Sequence, residues 1–142
     1  MASQKVLVDT NIFLDYYLNR QSGYLPIGEF ASNFIKDTLS CKYIICLSEI
    51  VLRKLQKQAT SFDLFDDNVL QLLRERNKLE EIKIHYELVK QAKVIMEKNK
   101  VPFNDALIAL TAKKLNIPVI TRDKHFFEEL NYIAKVILPE EL

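Results

Sequence analysis

The chain has 142 residues, of which 49% are apolar and 27% charged, and its formal net charge at pH 7 is +1. This length and composition are typical of a soluble globular protein, so residues 1–142 are predicted to form one domain. The near-neutral charge excludes the bulk basicity of many nucleic-acid-binding proteins, although it leaves room for a local basic rim. With only Gly23 and Gly28, a glycine-rich phosphate-binding loop is also excluded.

The sequence favours a cytoplasmic protein that has no membrane segment. Two cysteines are too few for a disulfide scaffold, and Cys46 lies in an apolar run that is typical of a buried, reduced thiol. The sequence shows no signal peptide and no apolar run long enough to cross a bilayer.

The first predicted strand is the aliphatic run at 6–8, which ends abruptly at Asp9, Thr10 and Asn11. Apolar residues then recur at helical spacing, so a helix is predicted from about Asn11 to Leu18. Further helices are predicted over about 29–40, 48–55, 61–77, 86–98, 104–115 and 124–130, and further strands over 42–47, 82–85, 119–121 and 135–138. Because strands alternate with helices, the predicted fold is three-layer α/β/α with a central parallel five-stranded sheet.

Three aspartates are predicted to meet at one edge of this sheet. Asp9 and Asp123 each follow an apolar strand, and Asp105 lies in the first turn of a helix. Three carboxylates in one cleft repel one another unless they bind protons or a cation. Because no histidine–cysteine set is apparent nearby, the oxygen ligands favour Mg²⁺ or Mn²⁺ over zinc. Such an ion can orient a phosphodiester and activate water for its hydrolysis.

Each aspartate taken singly has a structural explanation. An aspartate after a strand commonly forms a turn or caps a helix. The helix dipole favours Asp105 without any function, and Asp123 could begin a turn with Arg122 and Lys124. The specific prediction is therefore that all three converge.

Three motifs resemble the PIN domain: DTN at 9–11 after a strand, NDALIA at 104–109 opening a helix, and TRDKHF at 121–126 after a later strand. The resemblance covers nearly the whole chain in the right order and implies the same parallel five-stranded sheet. It also implies a site for Mg²⁺ or Mn²⁺. Many members of that family are ribonucleases, including toxins of bacterial and archaeal toxin–antitoxin pairs.

The resemblance assigns Asp9, Asp105 and Asp123 to the metal site. It gives Asn11 and Thr121 orienting roles in the same catalytic set. The hydroxyl of Thr10, by contrast, is expected to satisfy the turn rather than to take part in the reaction.

One position departs from the family pattern. The family normally has a glutamate on the helix after the second strand, where this chain has Lys54, and Glu49 is the only acid nearby. The two positions lie on opposite flanks of that helix. Either Glu49 reaches the cleft and replaces the missing metal ligand, or Lys54 lies at the site, where it competes with the cation or binds a phosphate.

The leading hypothesis is a metal-dependent endoribonuclease that binds RNA phosphates with Arg122, Lys124 and Lys54. The resemblance implies an antitoxin protein as partner, and the neighbouring tyrosines 16 and 17 pack on the sheet or in a homodimer contact. The alternative is an RNA-binding or interaction module that has lost activity through Lys54. An aspartyl phosphatase or phosphoreceiver is disfavoured, because Asn11 replaces the second acid that a phosphatase requires.

Overall fold

The computed structural model describes residues 3–61 and 68–142. The strands are β1 (Gln4–Val8), β2 (Tyr43–Ser48), β3 (Leu79–Ile82), β4 (Val119–Ile120) and β5 (Val136–Ile137). The helices are α1 (Thr10–Leu18), α2 (Ile27–Leu39), α3 (Glu49–Ser61), α4 (Asn68–Glu75), α5 (Tyr86–Asn99), α6 (Phe103–Leu115) and α7 (Lys124–Glu128). A short 3₁₀ helix, Pro139–Glu141, follows the last strand and was not predicted.

The five strands form one parallel sheet in the order β3-β2-β1-β4-β5, which confirms the predicted fold class. In right-handed crossovers, the steps from β1 to β2 and from β2 to β3 place α1 to α4 on one face. The step from β3 back to β4 runs in the opposite direction, so α5 and α6 cover the other face. β1 is therefore central, and its residues Val6, Leu7 and Val8 are fully buried.

The first two helices approach closely because of one glycine. Asn19 ends α1 in the left-handed conformation, with a φ of 45°. The amide of Gly28 donates to the carbonyl of Arg20 at 2.9 Å, and a Cβ on Gly28 would lie 2.6 Å from the Cα of Asn19. Only glycine fits this contact, which holds the start of α2 against the end of α1.

The third strand lies earlier than the sequence predicts, over Leu79–Ile82 rather than 82–85. β2 fixes its register by pairing Ile45 with Leu79. The amide of Ile84 donates instead to a carboxylate oxygen of Glu49 at 3.0 Å, so this residue has left the sheet. The helix predicted over 61–77 is described only from Asn68, and residues 62–67 of that prediction lie outside the described residues.

The described helices include none that is both long and apolar enough to cross a bilayer. Both cysteines are free thiols: Cys46 is buried and Cys41 is exposed. Burial raises the pKa of the Cys46 thiol to about 12, which keeps it protonated and unreactive at neutral pH.

Candidate active site

Asp9 lies where β1 ends, and its carboxylate caps α1. Its Oδ1 accepts a hydrogen bond from the amide of Thr10 at 2.7 Å, and its Oδ2 accepts one from the hydroxyl of Thr121 at 2.8 Å. Asp9 is only 6% exposed. Burial raises the pKa of Asp9, and the hydrogen bonds from Thr121 and Thr10 oppose that rise.

Thr121 connects the first and last motifs of the site. Its hydroxyl donates to Asp9 and accepts from the side-chain amide of Asn11 at 3.2 Å and from the backbone amide of Asp123 at 3.1 Å. Asn11 therefore reaches the carboxylate of Asp9 through Thr121 rather than directly. Thr121 is fully buried, so this arrangement is shielded from solvent.

Among the described residues, Asp105, Asp123 and His125 lie close enough together to hold a metal ion. One ligand atom from each lies within 4.8 Å of the other two, a group that does not include Asp9. The Nδ1 atom of His125 is 3.3 Å from Oδ2 of Asp105 and 3.3 Å from Oδ1 of Asp123. The backbone amide of His125 also donates to Asp123 at 2.9 Å, which begins α7.

His125 was not assigned to the site from the sequence. The available signal was its position two residues after Asp123, at the start of a short helix. One imidazole therefore lies beside two of the aspartates, which the expectation of oxygen ligands alone did not include. Imidazole is a common ligand of transition metals, whereas Mg²⁺ prefers oxygen ligands.

The charges in this cluster are poorly compensated. Burial and the neighbouring charges of Asp9 and Asp123 together raise the pKa of Asp105 to about 6, against smaller opposing contributions from Lys54 and His125. Asp105 is 5% exposed. A carboxylate in such surroundings is stabilised by a proton or by a cation.

One pocket of about 420 Å³ contains all three aspartates. Its lining residues are Asp9, Thr10, Asn11, Leu14, Lys54, Lys57, Gln58, Asp105 and Asp123. The hydroxyl of Thr10 does not satisfy the turn as expected, because it is buried without a hydrogen-bond partner among the described residues. The structure therefore brings together the predicted residues Asp9, Asn11, Asp105, Asp123 and, through its hydroxyl, Thr121.

Of the two interpretations of α3, the geometry favours the one in which Lys54 lies at the site. Lys54 lines the pocket, whereas Glu49 lines a different groove. The Glu49 carboxylate accepts from the amide of Ile84 and contacts the guanidinium of Arg53 at 3.3 Å. Glu49 therefore does not replace the missing metal ligand in this arrangement.

The other two predicted phosphate-binding residues do not line the pocket. Arg122 contacts Asp15 at 3.5 Å and forms a bidentate pair with Glu140. It also lies over the ring of Phe30 at 5.6 Å. Lys124 is the first residue of α7 and is exposed. Besides His125, the sequence analysis missed Lys57 and Gln58, which follow Lys54 at helical spacing and could have been found by that signal.

The family model described as PIN domain matches residues 6–131, and the chain belongs to that family. Similar solved structures include a toxin–antitoxin complex from Klebsiella pneumoniae, 19% identical, with a TM-score of 0.65 over 96% of this chain and 99% of that chain. Another is VapBC2 from Rickettsia felis bound to a DNA fragment from its promoter, 19% identical, with a TM-score of 0.67 over 95% and 98%. A third is FitAB bound to a DNA fragment, 18% identical, with a TM-score of 0.66 over 96% of each chain. No curated protein matches this sequence.

The residues present fit a divalent cation. The pocket holds three carboxylates, one of them with a pKa raised to about 6, and an imidazole lies beside two of them. The side-chain oxygens of Thr10 and Asn11 are buried there without a partner among the described residues. A hydrated cation supplies hydrogen-bond donors to such oxygens as well as charge to the carboxylates.

Proposed function

We propose that this protein is a metal-dependent endoribonuclease that hydrolyses RNA phosphodiester bonds. The observation that carries the proposal is the convergence of Asp9, Asp105 and Asp123 in one pocket, where burial and mutual repulsion raise the pKa of Asp105 to about 6. These residues are far apart in the sequence, and a shared cation accounts for their arrangement better than three separate helix caps do.

Asp105, Asp123 and Asp9 would hold the cation, with His125 beside them. A bound Mn²⁺ or Mg²⁺ supplies a Lewis acid for the phosphate and activates water. Thr121 holds the carboxylate of Asp9 in one orientation through its 2.8 Å hydrogen bond, and Asn11 in turn fixes the hydroxyl of Thr121. This preorganisation keeps the ligands in place before the substrate binds.

The test is cleavage of a mixed RNA pool with and without Mn²⁺. Asp105→Asn is expected to lower the rate by roughly 10³-fold, since even one lost transition-state hydrogen bond typically costs about 10²–10³. The matched control is Asp37→Asn, which alters an exposed ion pair with Lys42. The proposal fails if the parent cleaves equally well in EDTA, or if Asp105→Asn cleaves like the control.

We further propose that the protein is the toxin of a toxin–antitoxin pair. Similar folds occur in the toxin–antitoxin complex of Klebsiella pneumoniae, which supports an antitoxin as the partner of this chain. If a neighbouring gene encodes a small DNA-binding protein, that protein is expected to suppress RNA cleavage at a one-to-one ratio. Unchanged cleavage in its presence would contradict this assignment.

One observation favours a second candidate, a catalytically weakened RNA-binding module: Lys54 lines the pocket where the family normally has a glutamate. That candidate predicts RNA retention without cleavage in any divalent metal, and a gain of cleavage in Lys54→Glu. The endoribonuclease proposal instead predicts cleavage by the parent itself. The same Mn²⁺ assay therefore separates the two.

A further inference from the structure

The acidic pocket has a second wall of opposite character. α3 contributes Lys54, Lys57 and Gln58, and all three line the cavity that contains Asp9 and Asp105. Residues spaced three and four apart lie on one face of a helix, with Cβ atoms about 5–6 Å apart. The side chains of Lys54 and Lys57 therefore begin on the same face of α3, on the wall of the pocket that lies opposite its acids.

Neither lysine makes an ion pair with any described carboxylate. Arg53, which lies on the same helix, is paired with Glu49. The charge of Lys54 lowers the pKa of Asp9 and of Asp105, so its ammonium lies within electrostatic reach of the acids. The lysines thus remain available for an anion while they face a site for a cation.

The third residue of this wall is Gln58. The side-chain oxygen of Gln58 is buried and has no hydrogen-bond donor among the described residues. Buried acceptors in folded proteins are normally satisfied, so a ligand that fills the pocket should bring a donor to this oxygen. A nucleotide carries such donors on its sugar and its base.

We propose that the face of α3 formed by Lys54, Lys57 and Gln58 is a subsite for the backbone of single-stranded RNA. Lys54 contacts the phosphate nearest the aspartates, Lys57 contacts a neighbouring phosphate, and Gln58 accepts a hydrogen bond from the nucleotide between them. A cavity of about 420 Å³ has the size of a small-molecule site and admits a nucleotide or two rather than a duplex.

This inference rests on the proposed function for the identity of the substrate, but its test does not require cleavage. Binding of a fluorescently labelled short single-stranded RNA is measured in EDTA across a series of salt concentrations. Asp105→Asn serves as the common background, because it removes one repulsive charge from the pocket. Each phosphate contact on a single strand contributes about −0.7 to the slope of log affinity against log salt.

On that background, Lys57→Gln is expected to make the slope shallower by about 0.7 and to weaken binding at low salt. Lys54→Gln is expected to do the same. The matched control is Lys113→Gln, which removes the same charge from an exposed lysine at a different cavity, near Pro118. Thermal midpoints of all variants are compared to show that each is folded.

The subsite is overturned if Lys57→Gln and Lys113→Gln give the same slope of log affinity against log salt. It is also overturned if the Asp105→Asn protein does not bind the RNA. These outcomes are distinct from failure of the proposed function. A protein could bind RNA through α3 without metal-dependent cleavage, or cleave RNA with salt slopes that the α3 lysines do not affect.

Discussion

Two buried aspartates at either end of α1 have opposite surroundings. Asp15 is 2% exposed and faces two guanidinium groups, Arg20 at 3.7 Å and Arg122 at 3.5 Å. Asp9 is 6% exposed and faces hydrogen-bond donors and other carboxylates. Burial raises the pKa of both aspartates, but arginines oppose the rise at Asp15, whereas hydrogen bonds from Thr121 and Thr10 are the main opposing contributions at Asp9.

Burial of an acid therefore does not by itself indicate a functional site. The guanidinium groups of Arg20 and Arg122 offset part of the charge of Asp15, whose pKa is still raised by burial. Among the described residues, no arginine pairs with the three aspartates of the pocket, and a bound cation would offset the charge that Lys54 and His125 leave there. Arg122 connects the two surroundings, because its side chain contacts Asp15 while its neighbours in the chain, Thr121 and Asp123, belong to the candidate site.

Replacement of Arg122, which contacts Asp15, should change the stability of the protein more than the other substitutions below. Arg122→Met should lower the free energy of unfolding by about 3 kcal/mol, because the buried charge of Asp15 loses one of its two guanidinium partners and Glu140 loses its bidentate pair. The measurement is urea denaturation at neutral pH. The control is Arg53→Met, which removes a more exposed ion pair and should change stability by less than about 1 kcal/mol. Equal losses in the two variants would show that the Arg122 contacts contribute no more than a surface pair.

Removal of a charge from the pocket should stabilise the protein in the absence of metal, whereas removal of Arg122 destabilises it. The folded-state pKa of Asp105 is raised to about 6 from 3.8, so protonation of Asp105 favours the folded state, and this stability is lost as the pH rises from about 4 through 6. Asp105→Asn is permanently neutral and avoids the loss. In metal-free buffer it should therefore be more stable than the parent above pH 6, by at most about 3 kcal/mol, and the gain should vanish near pH 4.

Addition of Mn²⁺ should reverse this order, because the cation stabilises the parent by binding its folded state and the variant lacks a ligand. Denaturation curves at several pH values, with EDTA or with Mn²⁺, measure both effects. If Asp105→Asn is destabilised in EDTA at pH 7.5, the carboxylates are compensated in a way that the pocket geometry does not explain. Asp37→Asn again serves as the exposed control.

A weaker effect is expected from loss of the Thr121 hydroxyl, which contacts both Asp9 and Asn11. Thr121→Val keeps the shape of the side chain but removes the donor to Asp9 and the acceptor for Asn11. Loss of a hydrogen bond that orients a metal ligand typically costs about 10–100-fold in metal affinity, and a Mn²⁺ titration by calorimetry measures it. Thr111→Val is the matched control, because its buried hydroxyl donates only to the carbonyl of Leu107 within α6. Equal Mn²⁺ affinities for the two variants would leave Thr121 with a structural role alone.

Much of the architecture could be predicted from local sequence patterns. The aliphatic run before Asp9 and the apolar pair before Thr121 indicated strands, and each chain segment between strands showed helical spacing. The third strand was misplaced because the register of an edge strand depends on its neighbour. Ile82 and Ile84 alternate like strand residues, but pairing with β2 ends at Ile82 and the amide of Ile84 binds Glu49.

Local sequence is sufficient to predict which acids end strands and begin helices, since side-chain period and capping act within a few residues. Which charged residues face one another depends on the folded arrangement of the helices and the sheet. That arrangement directed Arg122 toward Asp15 and Glu140, placed His125 between Asp105 and Asp123, and oriented Lys54 rather than Glu49 toward the pocket. These pairings join residues that are distant in the chain, and they depend on how helices pack on the sheet, which no local pattern specifies.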